Sequence, residues 1–161
     1  MSCEGELIAQ LRQRHATLAT AESCTGGLIA ARLTNAPGAS EVFLGGIVSY
    51  SNAVKHSHLH VTQEVLETHG AVSAPCARQM AEGACAQLGA DLAISVTGIA
   101  GPGGATPTKP VGLVYIGVAA RGAATQVVEF HFAGTRAEIR QQSVDAALTL
   151  ALRALTEKPL A

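Results

Sequence analysis

Charged side chains are scarce in this sequence: Asp, Glu, Lys and Arg make up 14% of its 161 residues, against roughly 25% in an average soluble protein. A surface so poor in charge is expected to be partly covered, most simply by a second copy of the chain, giving a homodimer or larger homo-oligomer. There is no run of Lys and Arg, and the net charge is −1, which sets nucleic acid aside as a partner. No apolar stretch approaches the ~20 residues needed to cross a bilayer. The start, MSCEGELIAQLRQRH, has no cationic segment followed by an apolar one, so no signal peptide is read there. The expectation is a cytoplasmic protein with no membrane partner. Cys3, Cys24, Cys76 and Cys85 form no CxxC pair, and in a reducing compartment they read as free thiols.

What is present fits one domain, residues 1–161, with no internal repeat and no linker. Residues 4–15 show Leu7, Ile8 and Leu11 at helical spacing. ATLATAE reads as a short strand, GGLIAARLTN as a helix and EVFLGGIVSYSN as strand-like. AVKHSHLH is ambiguous between helix and strand, and TQEVLETHG is a short helix stopped by Gly70. Ser73 can cap APCARQMAEGACAQL, with Pro75 in the first turn and Gly89 at the stop. DLAISVTG has the continuous apolar character of an interior strand. Residues 111–132 read as a hairpin, and Thr135 with Glu138 forms a capping box for a helix from 136 to about 157. The alternation predicts an α/β protein: a three-layer α/β/α sandwich on a mixed, mostly parallel sheet of about five strands.

Three stretches concentrate chemistry. TAESCTGG, residues 20–27, places Glu22, Ser23, Cys24 and Thr25 where a strand turns into a helix. Ser23 or Thr25 can simply cap that helix. The same turn can instead present backbone N–H groups to an anion or oxyanion, with Gly26 admitting a ligand close to the chain. SYSNAVK puts Tyr50 and Lys55 just past a strand end. A desolvated lysine can take a proton from a serine hydroxyl, and a nearby tyrosine can hold or relay it; the plainer reading is an exposed lysine and a core tyrosine. SVTGIAGPGGATPTKPVG sets Thr97 and Gly98 at the carboxyl end of the interior strand, where open α/β sheets bind ligands. It lacks the G-x-x-x-x-G-K-[ST] of a P-loop.

TAESCTGG, GGIVSYSNAVK, GAVSAP, SVTGIAGPGGATPTKPVGLVYIGVA and GTRAEIRQQ occur in this order. Together they resemble the CinA C-terminal family, the nicotinamide-nucleotide amidases, in its stand-alone form. The resemblance implies an α/β/α sandwich with a five-stranded mixed sheet, a dimer or larger assembly, and hydrolysis of nicotinamide mononucleotide to nicotinic acid mononucleotide and ammonia. It places the family's catalytic trio on Ser23, Tyr50 and Lys55. Donors for the small-molecule substrate are then expected from Cys24, Thr25, Gly26, Thr97, Gly98 and Arg140. Arg136, one helical turn from Arg140, is a further candidate for the phosphate. Glu22 either holds the turn or orients Lys55. No cofactor and no metal are called for.

Two other classes compete. His56, His58 and His60 alternate and would share one face of a strand, as the zinc ligands of a metal hydrolase can. A non-catalytic nucleotide-binding module would keep the Thr97 loop and tolerate loss of Ser23 or Lys55.

Overall fold

The computed structural model describes residues 1–157. Its first helix, α1 (Cys3–Gln13), starts where the Ser2 hydroxyl accepts the Gly5 N–H, and it buries Leu7, Ile8 and Leu11. Strand β1 (Leu18–Glu22) leads to α2 (Leu28–Thr34), and a 3-10 turn (Ala39–Glu41) precedes β2 (Phe43–Val48). Three helices follow: α3 (Asn52–Leu59), α4 (Gln63–Thr68) and α5 (Ala74–Leu88). The chain continues through β3 (Leu92–Gly98), β4 (Leu113–Ala120) and β5 (Gln126–His131) to α6 (Arg136–Glu157).

The sheet has the order β2-β1-β3-β4-β5, with β1 parallel to β2 and β3, and β4 antiparallel to both its neighbours. Four strands therefore point one way and β4 runs against them. The mostly parallel expectation holds for strand direction, while the ladders divide evenly between the two types. Side chains alternate across the sheet as its pleat requires. Leu18, Ile94, Val96 and Ile116 join the core under α1, α2 and α6, whereas Ala19, Ala21 and Ala93 face α3–α5. The second face is built from small residues because α5 lies close against it. A Cβ on Gly117 would come within 2.8 Å of the Ala77 carbonyl oxygen, and one on Gly83 would overlap the Leu59 carbonyl of α3. Among the described residues no helix is long and apolar enough to cross a membrane.

Local signals set two boundaries that matter for function. The Ser73 hydroxyl accepts the Cys76 N–H at the start of α5, and Gly89 ends that helix in the left-handed conformation. At α6 the capping box closes in both directions: the Thr135 N–H donates to Glu138 Oε2 (3.0 Å), and the Glu138 N–H donates to Thr135 Oγ1 (3.2 Å). The ambiguous segment is helix α3, ended by His60 in the left-handed conformation. It folds this way because the Ser51 hydroxyl caps it by accepting the Val54 N–H.

Candidate active site

Because β1, β2 and β3 are mutually parallel, their carboxyl ends share one edge. The chain leaves β1 into α2 on one face of the sheet and β2 into α3 on the other, which opens a crevice at that edge. Ser23 follows β1, residues 49–51 follow β2, and Thr97 and Gly98 end β3. A cavity of about 260 Å³ lies there, with Ser23, Cys24, Tyr50, Lys55, Thr97 and Gly98 in its wall. A larger hollow of about 490 Å³ sits between the end of α5 and the β4–β5 turn, but half of its lining residues are alanine and it contains none of the predicted site residues.

Lys55 is the central group. It is 1% exposed, and its ammonium nitrogen lies 2.9 Å from Ser23 Oγ. Nζ also donates to the Ser49 carbonyl (2.7 Å) and the Tyr50 carbonyl (3.3 Å). Among the described residues it has no carboxylate partner. Burial therefore lowers its pKa from the ordinary lysine value, only partly countered by the thiols of Cys76 and Cys24. A neutral lysine has two N–H bonds and one lone pair. With the two N–H bonds directed at carbonyls, which can only accept, the lone pair is left for the Ser23 O–H.

Glu22 holds the turn and does not touch Lys55. Its carboxylate, 1% exposed, accepts the Ile29 N–H (2.8 Å) and the Ala30 N–H (3.1 Å). The N-terminus of α2, read from sequence as an anion site, is thus already neutralised from within the chain. Within the turn the Ser23, Gly26 and Leu28 N–H groups also have protein acceptors. Those of Cys24, Thr25 and Gly27 have none among the described residues. Glu22→Gln should lower stability by about 2 kcal/mol, since two charge-assisted bonds are weakened. The apparent pKa of the Lys55 amine should stay in place, and a displaced one in that variant would show that Glu22 is coupled to Lys55 after all.

The remaining predicted residues divide between the cavity and its supports. Burial pushes the Cys24 thiol up to about 11, so it carries no thiolate at neutral pH. Thr25 is fully buried and outside the cavity wall, with no partner for its hydroxyl. Thr97 donates to the Ala71 carbonyl (2.8 Å). Gly98 is required because a Cβ there would lie 2.9 Å from the Leu113 carbonyl oxygen of β4. Tyr50 is 61% exposed, and its hydroxyl accepts from Arg136 Nη2 (3.0 Å) instead of meeting the lysine amine. Only its carbonyl reaches Lys55. Arg140 stands behind the turn, its Nε donating to the Cys24 carbonyl (3.0 Å) and its Nη2 to the Thr25 carbonyl (3.2 Å).

Arg136 is the arginine in the cavity wall, where its Nη1 donates to the Gly101 carbonyl (2.9 Å). Its helical spacing from Arg140 marks the pair in the sequence but not which member faces the cavity. Asn52 also lines it, and its place in the polar SYSNAVK cluster was the available signal. The histidine reading is corrected. On a helix, alternate residues diverge, and His56, His58 and His60 bond respectively to the Val61 carbonyl, Ser57 and Gln87. No group of three potential metal-binding side chains occurs among the described residues.

The CinA C-terminal domain model matches residues 1–155. A putative competence-damage inducible protein of Caldicellulosiruptor bescii is 50% identical over 91% of this chain and 36% of its own length. One from Moorella thermoacetica is 52% identical over 91% of the chain and 35% of its length. The chain thus spans about a third of the curated relatives it matches. Among solved structures, the competence/damage inducible protein CihA from Agrobacterium tumefaciens has a TM-score of 0.86 and 42% identity, covering 95% of this chain and 97% of that one. A CinA superfamily protein from Klebsiella pneumoniae has a TM-score of 0.92 at 32% identity, covering 96% of each chain. With its five-stranded mixed sheet and this breadth of match, the chain belongs to the CinA C-terminal domain family.

Proposed function

We propose that this chain is a serine amidohydrolase that converts nicotinamide mononucleotide to nicotinic acid mononucleotide and ammonia. The observation that carries the reading is the buried, carboxylate-free Lys55 amine 2.9 Å from Ser23 Oγ. Ser23 Oγ adds to the carboxamide carbon as its proton passes to Lys55 Nζ, and the carbonyl π pair moves onto oxygen. The unclaimed N–H group of Cys24, a residue of the cavity wall, is the donor available to that oxyanion. Collapse expels the amide nitrogen, which takes the proton from Nζ and leaves as ammonia, with an ester remaining on Ser23. Water then adds to the ester, giving a proton to Nζ. The second collapse returns a proton to Ser23 Oγ and frees the acid. Four free thiols accord with a reducing, cytoplasmic setting.

The direct test is ammonia release from nicotinamide mononucleotide by the purified chain, repeated in a chelator. Activity is expected in both. Its full loss on chelation and return with zinc would overturn the serine reading in favour of a metal hydrolase.

Arg136 is the cation in this reading that meets the substrate phosphate. Its guanidinium lies in the cavity wall on a tyrosine hydroxyl and a carbonyl, both weaker partners than phosphate. Nicotinamide riboside should then be the poorer substrate, by roughly 1.5–3 kcal/mol for each charge-assisted bond forfeited. Arg136→Ala should narrow the gap between the two substrates mainly through KM. An unchanged ratio of kcat/KM values would move the phosphate to another group.

Self-association is supported by the open edge of β2, where Leu44 and Val48 are about half exposed (48% and 50%) and Tyr50 follows them. Light scattering at micromolar concentration should give at least a dimer mass. A clean monomer would remove this part of the proposal.

A further inference from the structure

Arg140 neither lines the cavity nor pairs with a carboxylate among the described residues. It reaches from α6 to two main-chain carbonyls of the Ser23 turn, and their position explains why. In a regular helix start the Cys24 carbonyl would receive the Leu28 N–H. That N–H goes instead to the Thr25 carbonyl (3.1 Å), and the next two, from Ile29 and Ala30, go to Glu22. The Cys24 carbonyl is left without a helical donor, and Arg140 Nε supplies one at 3.0 Å. Arg140 Nη2 adds a bond to the Thr25 carbonyl at 3.2 Å. Gly26, at φ +60°, admits this approach, since a Cβ there would sit 3.3 Å from Nη2.

The consequence follows from peptide planarity. In a trans peptide the N–H points opposite to the preceding carbonyl. Holding the Cys24 carbonyl from behind therefore aims the Thr25 N–H away from Arg140. The Ser23 carbonyl is held by the Gly26 N–H (3.0 Å), which sets the Cys24 N–H in the same way. The three peptides after Ser23 thus have their carbonyls anchored, and of the N–H groups among them left without a protein acceptor, those of Cys24 and Thr25, only the Cys24 N–H belongs to a residue of the cavity wall. We propose that Arg140 is a positioning residue for amide hydrolysis: by holding the Cys24 and Thr25 carbonyls it fixes the turn that carries Ser23 and the Cys24 N–H, the oxyanion donor, and it does not read the substrate phosphate. The inference rests on Ser23 being the nucleophile.

The test compares Arg140→Lys and Arg140→Ala with Arg136→Ala on nicotinamide mononucleotide and on its riboside. Lysine keeps the charge and most of the length but cannot bond both carbonyls through a planar fork. Both Arg140 variants should lose kcat, by up to the ~10²–10³-fold seen when an oxyanion donor is removed. KM should stay within about twofold of wild type, and the preference for the mononucleotide should be unchanged, as expected when only transition-state contacts are lost. Added guanidinium chloride should restore part of kcat to Arg140→Ala and nothing to Arg136→Ala. A collapse of the mononucleotide preference in the Arg140 variants would make Arg140 the phosphate reader and overturn the proposal, as would an unchanged kcat.

Should Arg140→Ala fail to fold, Arg140→Lys and Gly26→Ala disturb the same contact from its two sides. Acylation of Ser23 by p-nitrophenyl acetate separates this inference from the choice of substrate. If the wild type releases no ammonia from the mononucleotide but acylates Ser23 in an Arg140-dependent way, the substrate reading fails and the role of Arg140 stands. If Ser23 does not acylate at all, both fall.

Discussion

Lys55→Arg is expected to be nearly inactive, with kcat down by at least ~10³-fold, the range for loss of an essential catalytic group. A free lysine, with a pKa near 10.4, is almost wholly protonated at neutral pH and cannot accept the Ser23 proton. Burial without a carboxylate partner moves Lys55 below that value. In the proposed reaction the active form is the neutral amine, so the wild-type rate should rise with pH as Lys55 deprotonates, with an apparent pKa below that of free lysine. Arginine keeps its charge throughout this range and cannot act as the base. It also brings a planar fork into a site shaped for one nitrogen among Ser23 Oγ and two carbonyls. The measurement is the pH–rate profile of both proteins. Substantial activity in the arginine variant would mean that position 55 supplies only positive charge. The sign of the stability effect is also determined. Between the folded and unfolded pKa values the unfolded chain binds more protons, so stability should rise with pH across that window.

Ser23→Ala removes one oxygen and should lower the rate by at least ~10³-fold while leaving folding nearly unchanged. The main-chain bond from the Ser23 N–H to the Val96 carbonyl (2.9 Å) survives the substitution. So do the anchors of the turn on Glu22 and Arg140. No neighbour is placed to substitute. The Cys24 thiol is held protonated by burial, and the Thr25 hydroxyl is sealed outside the cavity. Thermal denaturation beside single-turnover ammonia release checks both halves. A variant that keeps a tenth of normal activity would show that an activated water or another hydroxyl attacks the amide.

The sequence by itself determined the elements whose signals are local. Ser73, Pro75 and Gly89 delimit α5 because caps and left-handed stops act within a few residues, and Thr135 with Glu138 starts α6 for the same reason. The apolar run at 92–96, interrupted only by Ser95, marked β3 as interior, where strands and helices cover it on every side. The α3 segment was not legible. A histidine at every second position suits a strand face, and the Ser51 cap that favours the helix is a weak signal. Only the tertiary structure decided the chemistry of the polar residues. Ser23 and Lys55 stand 32 positions apart, and burial of the amine depends on strands meeting at one sheet edge. In the sequence Glu22 could either hold the turn or orient Lys55, and α2 decides by presenting its free N–H groups to that carboxylate. Arg136 and Arg140 look interchangeable along the chain. Their roles separate because the first turn of α6 overhangs the cavity and the next packs behind the Ser23 turn. Periodicity places a residue on an element, but pKa, exposure and hydrogen-bond partner depend on what distant segments bring against it.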